Sequence, residues 1–286
     1  MVLLDHIKRV YAKAQRDDIF NGAAVLGFYL TLAIFPIMIF LMALVPYLPL
    51  ANVGEAMMNF LRQLLPPSAM SMVADVLREV TSERRGGLLS FGIIAALWSG
   101  STGMYAVMQQ LNGAYEVEEK RPFLRARATA VGLTILFGAL VLGAFSLVVL
   151  GGVIERFLGD HFGFSEVLLL SFRVLRWVII VLALLLAISL VYYLGPNRRH
   201  PFKFLSRGSV LASVLLLAAS YGFSLYTSNF NNYSAVYGSI GAVIILMMWL
   251  YIVGLVVLLG AEVNAALERD RLNLPPFDER LDGGHA

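Results

Sequence analysis

The chain alternates long apolar stretches, free of Asp, Glu, Lys and Arg, with short segments in which charge is concentrated. The longest uncharged stretch runs from Gly208 to Ala261, and others cover Ile19–Gly54, Gly86–Tyr115, Ala128–Ile154 and Trp177–Asn197. Crossing ~30 Å of hydrocarbon takes about 20 apolar residues as a helix, so the longest stretch has room for two spans. The polar run Ser228-Asn229-Phe230-Asn231-Asn232-Tyr233 supplies a turn between them. Six spans are therefore predicted, near residues 23–48, 88–110, 129–151, 174–195, 208–229 and 236–261. Backbone groups in lipid must be bonded within their own segment, which makes the spans helices. The short alternating segments of a barrel are not present. The fold class is all-α and polytopic, with residues 21–268 as the membrane domain.

Charge adds an orientation. The N-terminal segment, the second and fourth connections and the C-terminal tail hold most of the 22 basic residues, among them Lys8, Lys13, Lys120, Arg121, Arg198, Lys203, Arg207 and Arg269. The remaining connections hold only Arg62, Arg78, Arg84, Arg85, Arg156, Arg173 and Arg176. Lys and Arg mark the cytoplasmic side, so both termini are expected there, with 269–286 as a cytoplasmic tail. Within residues 1–20, Leu3, Ile7, Val10 and Ala14 share one face, which predicts a cytoplasmic interfacial helix. Residues 53–85 read as two amphipathic helices broken at Pro66-Pro67, placed at the outer face. The connection at 155–173 is a second expected outer surface.

Composition narrows the function classes. The chain is 59% hydrophobic and 14% charged, against about 25% charged in soluble domains. It has no cysteine, which excludes disulfides, thiolate metal sites and cysteine nucleophiles. The four histidines are far apart in connections or tails, and no metal-binding or nucleophile-elbow spacing occurs. No enzyme activity, cofactor, metal or nucleic-acid partner is expected from this pattern.

The candidate chemistry lies in neutral polar groups at depth. Tyr29, Thr31, Trp98, Ser99, Asn112, Asn229 and Tyr237 form a candidate substrate path or interhelical polar network. Pro36, with Pro46, interrupts the first span and frees a carbonyl near Leu32, which Thr31 or a neighbouring helix could bond. The result is either a fixed kink or a gate. Small residues at four-residue spacing predict close helix crossings at Gly92, Ala96 and Gly100, at Ala139 and Gly143, and at Ser209, Ser213, Ala218 and Gly222. The Leu-, Val- and Ile-rich fourth span lacks them and is expected to face lipid. Glu262 closes the last span. A carboxylate at this depth is expected at the cytoplasmic interface, bonded to water or to an arginine such as Arg121 or Arg207.

These residues resemble the YihY/BrkB family of bacterial inner-membrane proteins, once labelled ribonuclease BN. The resemblance covers about residues 5–268. It rests on Ala23-Ala24-Val25-Leu26-Gly27-Phe28-Tyr29-Leu30-Thr31 with Phe35-Pro36, Leu97-Trp98-Ser99, Leu111-Asn112-Gly113-Ala114-Tyr115, and Arg121-Pro122-Phe123. Tyr193 with Pro196-Asn197, Tyr237-Gly238-Ser239-Ile240-Gly241 and Leu259-Gly260-Ala261-Glu262-Val263-Asn264-Ala265 complete it. Gly27 and Phe28 stand where Ala-Tyr is commoner in the family. The resemblance implies six spans in the cytoplasmic membrane, a link to envelope integrity or export of lipid precursors, and a ribonuclease label that was a misassignment. Three functions are weighed from residues and resemblance together. The first is transport of a lipid-like or amphipathic envelope substrate, with membrane lipid as partner. The second is a scaffold for an envelope-assembly protein, and the third is a small-solute or ion channel; homo-oligomerisation is compatible with each.

Overall fold

The computed structural model describes residues 11–44, 86–162, 165–198, 201–228 and 233–271. Six long helices are present among them and no strand: α1 (Ile19–Leu44), α2 (Gly86–Ala114), α3 (Phe123–Phe162), α4 (Glu166–Leu194), α5 (Arg207–Ser228) and α6 (Tyr233–Arg271). All six are long and apolar enough to cross a membrane. Residues 11–16 form a further helical turn and a half ahead of α1. The expected helices at 53–85, Pro46, residues 1–10, Asn229 and the side chain of Tyr237 lie outside the described residues.

The helices outrun the charge-free windows. α3 continues to Phe162 and α4 begins at Glu166, so most of the connection expected at 155–173 is helical. Apolarity sets where lipid ends, not where helix ends, and α3 and α4 pack on each other as a hairpin. Arg173 on α4 donates to Glu155 on α3 across that hairpin, its Nε at 3.0 Å, and holds the Glu155 carboxyl below the usual range. The Arg176 side chain lies over Gly151. Beyond these contacts α4 presents Val174, Leu175, Trp177, Val178 and Leu182 outward, as the Leu-rich fourth span is expected to. α3 does the same with Ile135, Phe137, Val141 and Leu142. Contiguous apolar surface of this extent is what a bilayer would cover.

The chain divides into two compact units, one of residues 1–18, 108–215 and 257–286, the other of 19–107 and 216–256. In the second unit, α1 runs unbroken through Pro36. A proline leaves the carbonyl four residues earlier without its helical donor, and here Ser99 Oγ of α2 lies 3.4 Å from Leu32 O and donates to it. Thr31, the alternative donor, instead bonds Gly27 O at 2.7 Å. Glycines let these helices approach: a Cβ on Gly27 would stand 3.3 Å from Tyr251 N, one on Gly254 would stand 3.1 Å from Leu26 Cβ, and one on Gly92 would stand 3.1 Å from Phe40 Cα.

In the first unit the tightest crossing is α5 on α6. A Cβ on Gly208 would overlap Gly260 O, and one on Gly260 would overlap the Tyr192 hydroxyl and stand 2.8 Å from Ala212 Cβ. Of the small residues expected to pack in the third and fifth spans, Ser209 and Ser213 are buried, whereas a Cβ on Gly143 or Gly222 would meet no described atom within 4 Å. Spacing alone does not select a partner, and these positions face outward. Gly208→Ala and Gly260→Ala should therefore each destabilise by about 1–3 kcal/mol through overpacking, while Gly143→Ala and Gly222→Ala leave stability level or raised. Thermal unfolding of the purified variants in detergent checks this, and equal melting points for all four would refute the crossing.

Candidate functional site

The end of α2 organises the first unit. Its last turn closes with Glu116 N donating to Gly113 O at 2.9 Å and Val117 N to Asn112 O at 2.9 Å, a Schellman ending. That ending puts Glu116 in the left-handed region, at φ 51°, where glycine is usual. The side chain explains the choice. The Glu116 carboxylate accepts from Arg269 at 2.9 Å and lies 3.7 Å from Arg16.

Lys13 reaches the same helix end from the N-terminal segment. Lys13 is 3% exposed. It donates to Ala114 O at 2.8 Å, to Asp17 and to Glu262, which is 0% exposed. The expected partner of Glu262 is thereby corrected: the carboxylate pairs with Lys13, not with Arg121 or Arg207. The reason is reach and competition, because Arg121 is committed to Glu119 and to α4, and Arg207 is exposed at the start of α5. Glu262 Oε1 is buried and has no hydrogen-bond partner among the described residues. Lys13 was legible only as one basic residue beside an apolar face. The available signal is that Lys13 and Asp17 are four apart and flank Ala14 on that face.

Asn112 and Arg121 form the adjoining corner. Asn112 Nδ2 donates to Glu119 at 2.9 Å, and its Oδ1 accepts the backbone N–H of Asn197 at 2.7 Å. Arg121 donates to Glu119 through Nε at 2.7 Å and Nη2 at 2.6 Å, then to Gly195 O at 2.8 Å. Its cation sits on the unsatisfied carbonyls ending α4, where the helix dipole favours positive charge. The Arg121 hydrogen bonds hold the Glu119 carboxyl below the usual carboxylate range. A Cβ at Gly195 would stand 2.8 Å from Leu111 Cδ1, so glycine lets the α4 end close on α2.

Beside this corner is a cavity of about 180 Å³ whose lining includes Tyr115, Tyr193, Arg198, Lys203, Arg207 and Glu268. Arg198 stacks 4.0 Å above the Tyr115 ring and donates to Glu268 at 2.5 Å. Burial pushes the Tyr115 hydroxyl up to about 12, against the lowering effect of its hydrogen bond with Asn264. The 201–206 connection is pinned over the cavity by Ser189 Oγ donating to Phe204 O at 2.7 Å and Asn264 Nδ2 donating to Ser206 Oγ at 2.9 Å. Tyr192 donates to Val257 O at 2.6 Å and fixes α4 on α6.

Of the candidate polar path, Thr31 and Ser99 serve helix carbonyls in the second unit, as described above. Tyr29 packs edge-on to Phe28 with ring centroids 5.5 Å apart. Trp98 is 67% exposed, and its carbonyl accepts from Ser101 and Thr102. Pro36 lies inside the continuous α1. Asn112 is used in the other unit, where both ends of its amide are engaged.

Six helices long and apolar enough to cross a bilayer define a multi-pass membrane protein. The chain belongs to the Virulence factor BrkB family, which it matches over residues 10–280. It is 39% identical over 272 residues to the putative ribonuclease-like protein YfkH of Bacillus subtilis, covering 95% of this chain and 98% of that one. It is 30% identical over 267 residues to a UPF0761 membrane protein of Alkalilimnicola ehrlichii, covering 93% of this chain and 59% of the relative. A UPF0761 membrane protein of Vibrio parahaemolyticus is 26% identical over 268 residues, covering 91% and 81%. No solved structure matches the chain.

The buried pair gives a direct test. Removing one partner of a buried ion pair costs about 3–5 kcal/mol because it strands the other charge. Lys13→Met and Glu262→Gln should each lower the melting point strongly, and the double variant should lose far less than the sum. Additive losses in a double-mutant cycle would show that the two side chains act independently.

Proposed function

We propose that the protein moves a lipid-like, amphipathic substrate across the inner membrane, with the Arg198–Arg207 connection on the cytoplasmic side. The observation that carries this reading is the cavity beside α4, α5 and α6, because its two kinds of wall suit the two parts of such a molecule. Arg198, Lys203 and Arg207 offer charge, while Tyr193, Leu205 and Leu267 offer apolar surface. Phe202 and Leu205 are exposed at the same connection and extend the apolar surface outward. Ligand sites combine an apolar lining with a few placed polar groups in this way.

The walls assign work to named residues. Arg198 is held against Tyr115 and Glu268, so a headgroup would meet a cation whose direction is already fixed. Pre-set geometry lowers the ordering cost of binding. The acyl part would stay outside, along the exposed apolar residues.

Two measurements test the reading. Vesicles containing the purified protein should redistribute NBD-labelled phosphatidic acid between leaflets faster than empty vesicles, and Arg198→Ala should slow them; equal rates in both vesicles would sink the proposal. The chain has no cysteine, so Lys120→Cys provides a single label site on an exposed connection. An impermeant maleimide should modify it only after the cells are opened, and modification in intact cells would reverse the orientation.

A further inference from the structure

We infer that the cavity lined by Arg198, Lys203 and Arg207 is a phosphate-binding site, taking the phosphate of a lipid headgroup or of a soluble phosphomonoester. The inference deepens the transport reading and rests on it only for the lipid source.

The charge count comes first. Three cations line the cavity against one carboxylate, Glu268, and Glu268 is engaged by Arg198 at 2.5 Å. Among the described residues, no carboxylate lies within ion-pair distance of Lys203 or Arg207. Among the described residues, two positive charges are therefore left without a carboxylate partner. A phosphomonoester carries about −1.5 to −2 at neutral pH, which matches that surplus, whereas a carboxylate would leave half of it.

Donor geometry points the same way. The planar guanidinium offers paired N–H groups that fit phosphate oxygens. The Arg198 plane is fixed over Tyr115, and its Nε is buried without a hydrogen-bond partner among the described residues. The start of α5 is not the binding element. Gly208 N donates to Asn264 Oδ1 at 2.8 Å and Ser209 N to Ser206 Oγ at 3.1 Å, so these backbone donors are used.

Size limits the ligand. At about 180 Å³ the cavity is smaller than the ~300–1,000 Å³ of sites that enclose drug-sized molecules. It admits a compact anionic group and leaves any acyl chain outside. A row of solvated surface cations, the plainer interpretation of basic residues at a membrane edge, explains neither the stacked Arg198 nor the walls pinned by Ser189 and Asn264.

The test is calorimetric titration of the purified full chain in neutral detergent with three probes: dihexanoyl phosphatidic acid, dihexanoylglycerol and inorganic phosphate. Phosphatidic acid should bind and dihexanoylglycerol should not. Lys203→Gln with Arg207→Gln should weaken phosphatidic acid by about tenfold or more. Both residues are exposed, so the double variant should keep its elution volume and melting point. Arg198→Lys, which keeps the charge and loses the fork, should bind more weakly than the wild type. If inorganic phosphate binds as tightly as phosphatidic acid and is lost in the same variant, the phosphate site stands and the lipid-transport reading falls. Absence of binding by both phosphates, equal binding of dihexanoylglycerol, or unchanged affinity in the double variant overturns the inference.

Discussion

A buried ammonium has to be compensated where it sits, and in this protein that requirement falls on Lys13. A lone charge in a low-dielectric interior is too costly to keep, so the position of Lys13 is set jointly by Ala114 O, Asp17 and Glu262. One side chain thereby fixes the N-terminal segment, the end of α2 and the end of α6 against each other. The neighbouring contacts follow from that arrangement. With α2 and α6 held, Glu116 can be shared by Arg269 and Arg16, and a left-handed carboxylate residue can stand where glycine usually ends a helix.

The same economy of termini runs through the rest of the unit. Three helix termini there are closed by side chains from elsewhere: Lys13 at the end of α2, Arg121 at the end of α4, and Asn264 at the start of α5. The Gly208–Gly260 approach allows the last of these, because it brings α5 close enough to α6 for Asn264 to reach both Gly208 and Ser206. The cavity is a by-product of these closures. Its walls are the connection that Ser189 and Asn264 tie down and the arginine that Tyr115 and Glu268 hold in place.

The six spans were legible because lipid imposes a rule that composition obeys directly: a window without charge is a window in hydrocarbon. Helix length was not, since α3 and α4 continue past the charge-free windows, and charged residues such as Glu155 and Arg173 join the hairpin there. Pro36 announced a missing bond, and its i−4 geometry identified the Leu32 carbonyl; that Ser99 rather than Thr31 supplies the donor depends on a neighbouring helix. The corner at Asn112, Arg121 and Asn197 unites segments singled out by the family pattern, although no spacing rule links residues so far apart. The Lys13 partner of Glu262 is hidden from sequence for the same reason. Fifteen basic residues share the expected cytoplasmic side, and sequence alone gives no measure of which one folds inward.

Lys13 and Glu262 are 249 positions apart. During synthesis the lysine leaves the ribosome long before its carboxylate exists, and every intervening helix must enter the membrane first. Until then the ammonium has only local oxygens and water. The pair therefore closes only once the last helix is in place, so the first charged segment of the chain is satisfied by the last helix to be made.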